Sequence, residues 1–264
     1  MKPNYGKKAE GRQEGVPQKG AFNRNSAFQP IISLKNVSKT YRMGEVDVAA
    51  LKGINLDIGK GEFLAISGPS GSGKSTIMNL VGCLDLATEG EILLDGRNIE
   101  SLTESSLAQI RGQKIGFVFQ QFNLIPTLTA MENVMLPLDF QDADSSQARK
   151  KAAELLRLVD LADRANHLPT QLSGGQMQRV AIARALAVNP EIILADEPTG
   201  NLDSRTGQFI IDFLTKIHRE DGKTIIMVTH DMHLTRHADR IVYLKDGHVE
   251  RIERKREIKG GVRT

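Results

Sequence analysis

The sequence predicts an α/β fold, a mainly parallel β-sheet with helices on both faces that also carries a small antiparallel β subdomain and a helical subdomain. Three observations support that expectation. A glycine-rich segment at residues 68–76 stands between an apolar strand starting at Phe63 and a helical run ending at Val81. Apolar segments at 192–196 and 224–228 flank a helix-periodic stretch at 207–219. Between these two blocks, residues 121–172 change character. Short apolar strands alternating with helical patterns mark βαβ units, and hence a parallel sheet.

In chain order, residues 1–30 are rich in Gly, Asn, Gln, Lys and Pro without periodicity and read as a disordered basic tail ahead of a domain at 31–250. Ile32, Leu34 and Val37 approximate one strand, and Leu51, Ile54, Leu56 and Ile58 a second, with a turn at 42–45 between them. Residues 63–67 form a buried strand running into the glycine-rich loop. Residues 91–94, followed by Asp95-Gly96, read as a strand ending in a turn. Gln120 ends the apolar strand at 115–119. The helical subdomain, about 121–172, then opens with a loop at 123–129 and continues as a helix over 145–161, apolar at 152, 155, 156 and 159. A helix over 176–188 is stopped by Asn189-Pro190. Residues 251–264 read as a second basic tail.

The 264 residues suffice for a buried core, and 40% apolar residues with a mean hydropathy of −0.28 are ordinary for a globular chain. No apolar run reaches the ~20 residues that cross a bilayer, and the N-terminus has no signal-peptide pattern. The single cysteine, Cys83, makes no internal disulfide, which fits a reducing compartment. It reads as a buried apolar residue or a reactive thiol. The pI near 8.9 invites a nucleic-acid reading, but the charge is in the wrong place. Each basic tail carries six Lys/Arg against two Glu, so residues 31–250 have a net charge of −5 within a total of +3. A nucleic-acid-binding face is not expected.

Gly68, Pro69, Ser70, Gly71, Ser72, Gly73, Lys74, Ser75 and Thr76 fit the pattern G-x-x-x-x-G-K-[ST], in the strand-to-helix context it requires. Glycines let successive backbone N–H groups turn inward around phosphate, and the helix N-terminus adds its dipole. Lys74 is placed to reach the outer phosphates and Ser75 to ligate Mg²⁺. The chain is expected to bind a nucleoside triphosphate.

Two further segments narrow the class: Leu172-Ser173-Gly174-Gly175-Gln176, and residues 192–197 ending in Asp196-Glu197. With them the chain resembles the nucleotide-binding subunits of ATP-binding cassette (ABC) transporters over residues 31–250. It is most similar to the macrolide-export and lipoprotein-release branch, whose phrases stand here at 82–85, 115–124 and 195–204. The resemblance implies a P-loop ABC cassette fold with ATP and Mg²⁺ as ligands.

Asp196 ends an apolar strand opposite the loop, where P-loop ATPases hold Mg²⁺. Glu197 follows it and would face the attacking water. A glutamate carboxylate can polarise such a water as general base; a solvated strand-end acidic pair is the plainer alternative. His230 lies just past the strand at 224–228, and the resemblance implies that it contacts the γ-phosphate and holds the water and Glu197 in register. For Gln120 it implies Mg²⁺ and water contact and a hinge to the helical subdomain. Tyr41 resembles the aromatic on which adenine stacks, with packing on the small sheet as its rival. Asp203 matches the family's dimer-crossing loop.

Ser173, Gly174, Gly175 and Gln176 again join a hydroxyl and small residues to a helix N-terminus, a second anion-binding device. One chain with one ATP does not need two. A head-to-tail pair does, each Ser173 end closing on the γ-phosphate in the other copy's P-loop. The resemblance then implies an ATPase subunit at the inner face of the cell membrane, driving a separate integral-membrane permease, of export type. Residues 122–138 are either the permease-docking surface or packing for the helical subdomain. A force-transmitting complex without transport is the alternative output. A soluble ABC ATPase acting on nucleic acid fits less well, since Lys74 and Ser173 are only 99 positions apart with no coiled-coil insertion.

Overall fold

A computed structural model describes residues 30–255; the expectations placed on 1–29 and 256–264 lie outside the described residues. Strands β1 (Pro30–Met43) and β2 (Val46–Gly59) form a long hairpin turned at Gly44-Glu45. After β3 (Phe63–Ser67), the six-residue loop and helix α1 (Lys74–Val81), the strands β4 (Glu89–Leu94) and β5 (Arg97–Asn98) return to that hairpin. They complete an antiparallel sheet of order β2-β1-β4-β5. Asp95 and Gly96 both take positive φ, 49° and 75°, as a two-residue hairpin turn requires.

The main sheet adds β6 (Ile115–Val118), β7 (Ile192–Asp196), β8 (Thr224–Val228), β9 (Arg240–Lys245) and β10 (His248–Arg254) to β3, in the order β10-β9-β3-β8-β7-β6. It is parallel except for the edge strand β10. Side chains alternate across a strand, so each buried strand feeds two cores. Phe63, Ala65, Ile193, Ala195, Ile225 and Met227 join the core shared with the helical subdomain. Leu64, Ile66, Ile192, Leu194, Ile226 and Val228 join the core under α1 and the antiparallel sheet.

Helices α2 (Glu104–Lys114), α3 (Ala130–Asp139), α4 (Ser145–Leu158), α5 (Gly174–Leu186), α6 (Ser204–Asp221) and α7 (Met232–Thr235) complete the described chain. Of these, α2, α3 and the short α7 were not expected. In α2 only Leu107 is buried, so no apolar stripe announces it. In α3 the signal was a capping box, Thr129 with Glu132. Inside the box, fully buried Asn133 donates to the carbonyls of Ile125, Leu128 and Thr129 and accepts from Ile125 N, tying the preceding loop to the helix. Helix α4 stops at Leu158 rather than 161, and Asp160 takes a left-handed φ of 57°. Both ends of the domain extend beyond the expected boundaries. Pro30 pairs with Gly59, and residues 251–254 pair with β9 as far as Arg254 opposite Arg240.

Candidate active site

The loop between β3 and α1 is shaped by close backbone approach. A Cβ on Gly68 would lie 2.2 Å from the Leu244 carbonyl oxygen. Gly73 is the N-cap of α1 at φ 101°, and no side chain caps the helix, leaving the first-turn N–H groups to a ligand. Lys74 is buried, with Nζ donating to the carbonyls of Gly68 (2.9 Å) and Pro69 (2.8 Å). The Ser72 hydroxyl is buried without a hydrogen-bond partner among the described residues.

These residues form one wall of a cleft of about 690 Å³ at the C-terminal ends of the parallel strands. Ser70, Gly71, Gly73, Lys74, Ser75 and Thr76 line it, facing Gln120 after β6, Asp196 and Glu197 at the end of β7, and His230 after β8. Val48, Ala49 and Ala50 of β2 close one side. No motif in the sequence singled out those three, because only tertiary packing brings the antiparallel sheet there.

Glu197 has a left-handed φ of 43°, rare for a residue with a Cβ. Its N–H donates to Val228 O (2.9 Å) and its carbonyl accepts from Gly200 N (3.0 Å). His230 Nδ1 lies 2.9 Å from Glu197 Oε1. A carboxylate oxygen only accepts, so Nδ1 carries the proton, an assignment inferred from the pair. Burial pushes the Asp196 carboxyl above its ordinary range and the neighbouring Glu197 adds to this, with Lys74 opposing. A cation there relieves both effects. Asp196, the Ser75 hydroxyl and the Gln120 amide are hard oxygen donors of the kind Mg²⁺ prefers. Among the described residues no three His, Cys, Asp or Glu cluster as a metal cage.

The other expected residues stand apart from this cleft. Tyr41 lies opposite Val48 in the hairpin, its hydroxyl donating to Asp85 Oδ2 at 2.9 Å, and it does not line the cleft. Ser173 is the exposed N-cap of α5, in a reciprocal capping box with Gln176. Gly174 faces Phe122, Asn201 and Leu202, and a Cβ on Gly175 would lie 2.3 Å from Thr206 Cγ2. Asp203 caps α6, accepting from Arg205 N, Thr206 N and Thr206 Oγ1; chiefly the Thr206 backbone N–H holds its carboxyl low. Gln120 is tied to the loop before Asp203. Asn201 Nδ2 donates to its carbonyl at 3.0 Å, and a Cβ on Gly200 would lie 2.8 Å from its Nε2. Sequence reasoning did not single out Asn201 or Gly200 as partners of Gln120; their side-by-side placement is tertiary.

A parallel sheet with a P-loop and with Asp196, Glu197 and His230 converging at its strand ends defines a P-loop nucleoside triphosphatase. The profile of the ABC transporter family matches residues 51–200, and the chain belongs to that family as an ATP-binding cassette, an ATPase. An uncharacterised ABC transporter ATP-binding protein of Methanocaldococcus jannaschii, MJ0796, is 59% identical over 86% of this chain and 98% of its own length. The dimeric structure of that cassette in a post-hydrolysis state, bound to ADP and Pi, superposes with a TM-score of 0.80 at 57% identity, covering 84% of this chain and 98% of that one. The macrolide export ATP-binding/permease protein MacB of Brucella melitensis is 48% identical over 88% of this chain, which spans 36% of MacB.

Proposed function

We propose that this ATP-binding subunit of an ABC transporter binds Mg-ATP between two copies arranged head to tail, and that hydrolysis drives a separate permease of export type. The observation that carries this reading is that the loop and the Ser173 helix start of one chain stand apart. Loop, Asp196, Glu197 and His230 line one cleft, while Ser173 is exposed elsewhere, its helix end seated against Phe122, Asn201 and Thr206. A second copy supplies the missing donors. In the closed site Lys74 and the α1 N-terminus bind the phosphates, Glu197 takes the proton of the attacking water, and His230 keeps the Glu197 carboxylate in place. Ser75, Asp196 and Gln120 would hold Mg²⁺, which would neutralise phosphate charge when bound. Tyr41 is proposed to stack on adenine after moving towards the rim that Val48 forms.

Two features support a permease partner. Among the described residues no helix is long and apolar enough to cross a membrane. A groove of about 680 Å³ between α2 and α3, lined by Gly112, Leu136 and Pro137, ends at Phe140, which is 83% exposed. It adjoins residues 122–138 and suits an apolar segment of a membrane protein, which would hold the cassette at the membrane's inner face. MacB-type relatives favour export over force transmission without transport. The net charge of −5 over residues 31–250 disfavours nucleic acid.

Size-exclusion chromatography of Glu197→Gln tests the dimer. With Mg-free ATP it elutes as a dimer that weakens on dilution, and with ADP as a monomer; equal elution volumes would refute the head-to-tail site. Co-purification with a membrane protein, lost on Phe140→Asp, tests the permease.

A further inference from the structure

Gln178 lies in the second turn of α5, five positions past Ser173, and is fully buried. Its Nε2 donates to the Pro198 carbonyl at 2.7 Å, while its Oε1 is buried and accepts no hydrogen bond among the described residues. Turning the amide over would set two carbonyl oxygens against each other, so its orientation is decided. A buried amide satisfied at one end only costs stability, and an apolar side chain of the same length would fill the space without that cost. Packing alone does not account for this glutamine.

What Gln178 holds is the peptide after the catalytic base. Glu197 sits at φ 43°, a strained conformation that persists only where the surroundings over-determine it. Three hydrogen bonds do so. Glu197 N donates to Val228, Gly200 N donates to the Glu197 carbonyl, and Gln178 donates to the next carbonyl along. The same helix also abuts Thr206 at Gly175, leaving no room there for a Cβ. Helix α5 is therefore joined to the loop carrying Glu197 at one point and to the start of α6 at another.

In the head-to-tail dimer, on which this inference rests, one chain sends Ser173 to one ATP site and Glu197 to the other. We infer that Gln178 is a positioning residue coupling the two sites: closure of the Ser173 end on one nucleotide is passed through α5 and the Gln178–Pro198 bond to Glu197 at the opposite site. Each base is then set for hydrolysis by ATP bound at the other site, and turnover is cooperative.

Gln178→Met tests this, with Gln178→Leu serving should the methionine fail to pack. ATP binding to the monomer and the ATP-dependent dimer stay within about twofold, while kcat falls about tenfold. Mixed dimers with one live site, made with one Glu197→Gln chain, locate the effect. Gln178→Met in the chain that supplies the live Glu197 slows hydrolysis about tenfold; in the chain that supplies Ser173 to that site, the rate stays within about twofold. Equal losses in both arrangements, or no loss in either, overturn the coupling. Absence of an ATP dimer in Glu197→Gln itself refutes the head-to-tail reading instead, so the two failures are distinguishable.

Discussion

His230 Nδ1 and Glu197 Oε1 are 2.9 Å apart, joining the ends of two neighbouring strands, β8 and β7, across the mouth of the cleft. Glu197 is largely shielded and His230 largely exposed, at 21% and 67% side-chain exposure. The pair thus has one member shielded by the fold and one open to the cleft. Because Nδ1 is committed to the carboxylate, Nε2 is the ring nitrogen left over, and it could donate to a phosphate oxygen only if it too carried a proton.

That asymmetry separates binding from chemistry. Lys74→Ala removes a buried cation from the loop and should weaken nucleotide affinity itself. His230→Ala and Glu197→Gln should leave affinity nearly unchanged while hydrolysis falls about 10²-fold or more, the scale of losing one positioned catalytic group. Fluorescent-nucleotide binding measured beside phosphate release distinguishes the cases. Wild-type hydrolysis in His230→Ala would reduce His230 to a strand-end structural residue.

Two loop glycines should respond differently to the same methyl group. At Gly71 the backbone has φ 76° but a Cβ meets nothing within 4 Å, so Gly71→Ala carries conformational strain alone, about 1 kcal/mol. At Gly73, φ is 101° and a Cβ would lie 2.7 Å from both Ala50 O and Leu51 Cδ2. Gly73→Ala must therefore displace the antiparallel sheet from the helix N-terminus, and should lose nucleotide affinity well beyond Gly71→Ala. Isothermal titration with ATP ranks the two; equal losses would mean the sheet contact is irrelevant to the site.

Behind the site, His218 Nε2 lies 3.3 Å from Asp239 Oδ2. The hydrogen bond to Asp239 raises the His218 pKa against the opposing effect of burial. Burial pushes Asp239 up, but the bond to His218 and to Phe63 N outweighs it and the carboxyl is lowered. A raised histidine stabilises the fold fully below its unfolded pKa of about 6.5, and that contribution fades as pH rises through the folded value. A lowered aspartate contributes above its unfolded value of about 3.9 and loses that as pH falls further. The pair therefore contributes most between about pH 4 and 6.5. Melting temperatures of wild type and His218→Gln should differ most near pH 5.5 and converge above pH 8; a gap independent of pH would remove the ion pair from the account.

Much of the fold was legible because its signals are local. The βαβ rhythm, the loop between β3 and α1, and the Asp-Glu pair ending β7 are fixed by periodicity and by residue types suited to one backbone shape. Helix α2 was illegible because it buries one residue in eleven, and α3 because Pro137 and the apolar run before it masked a capping box. The ends of the domain were misplaced because Pro30 and Arg254 are held by pairing with Gly59 and Arg240, partners distant in sequence or joined through a hairpin.

The sequence by itself determined the residue types: the glycine-rich loop at 68–76, the carboxylates at a strand end, and a second helix start with a hydroxyl and two glycines at 173–175. Only the tertiary structure decided how they are distributed. It brought Gln120, Asp196, Glu197 and His230 to one cleft, left Ser173 outside it, set Tyr41 against Asp85 and joined Gln178 to Pro198. The physical reason is range. Backbone propensity and side-chain chemistry act over a few residues, whereas the meeting of strand ends depends on sheet order, and sheet order is set by the packing of two cores on opposite faces of the same strands.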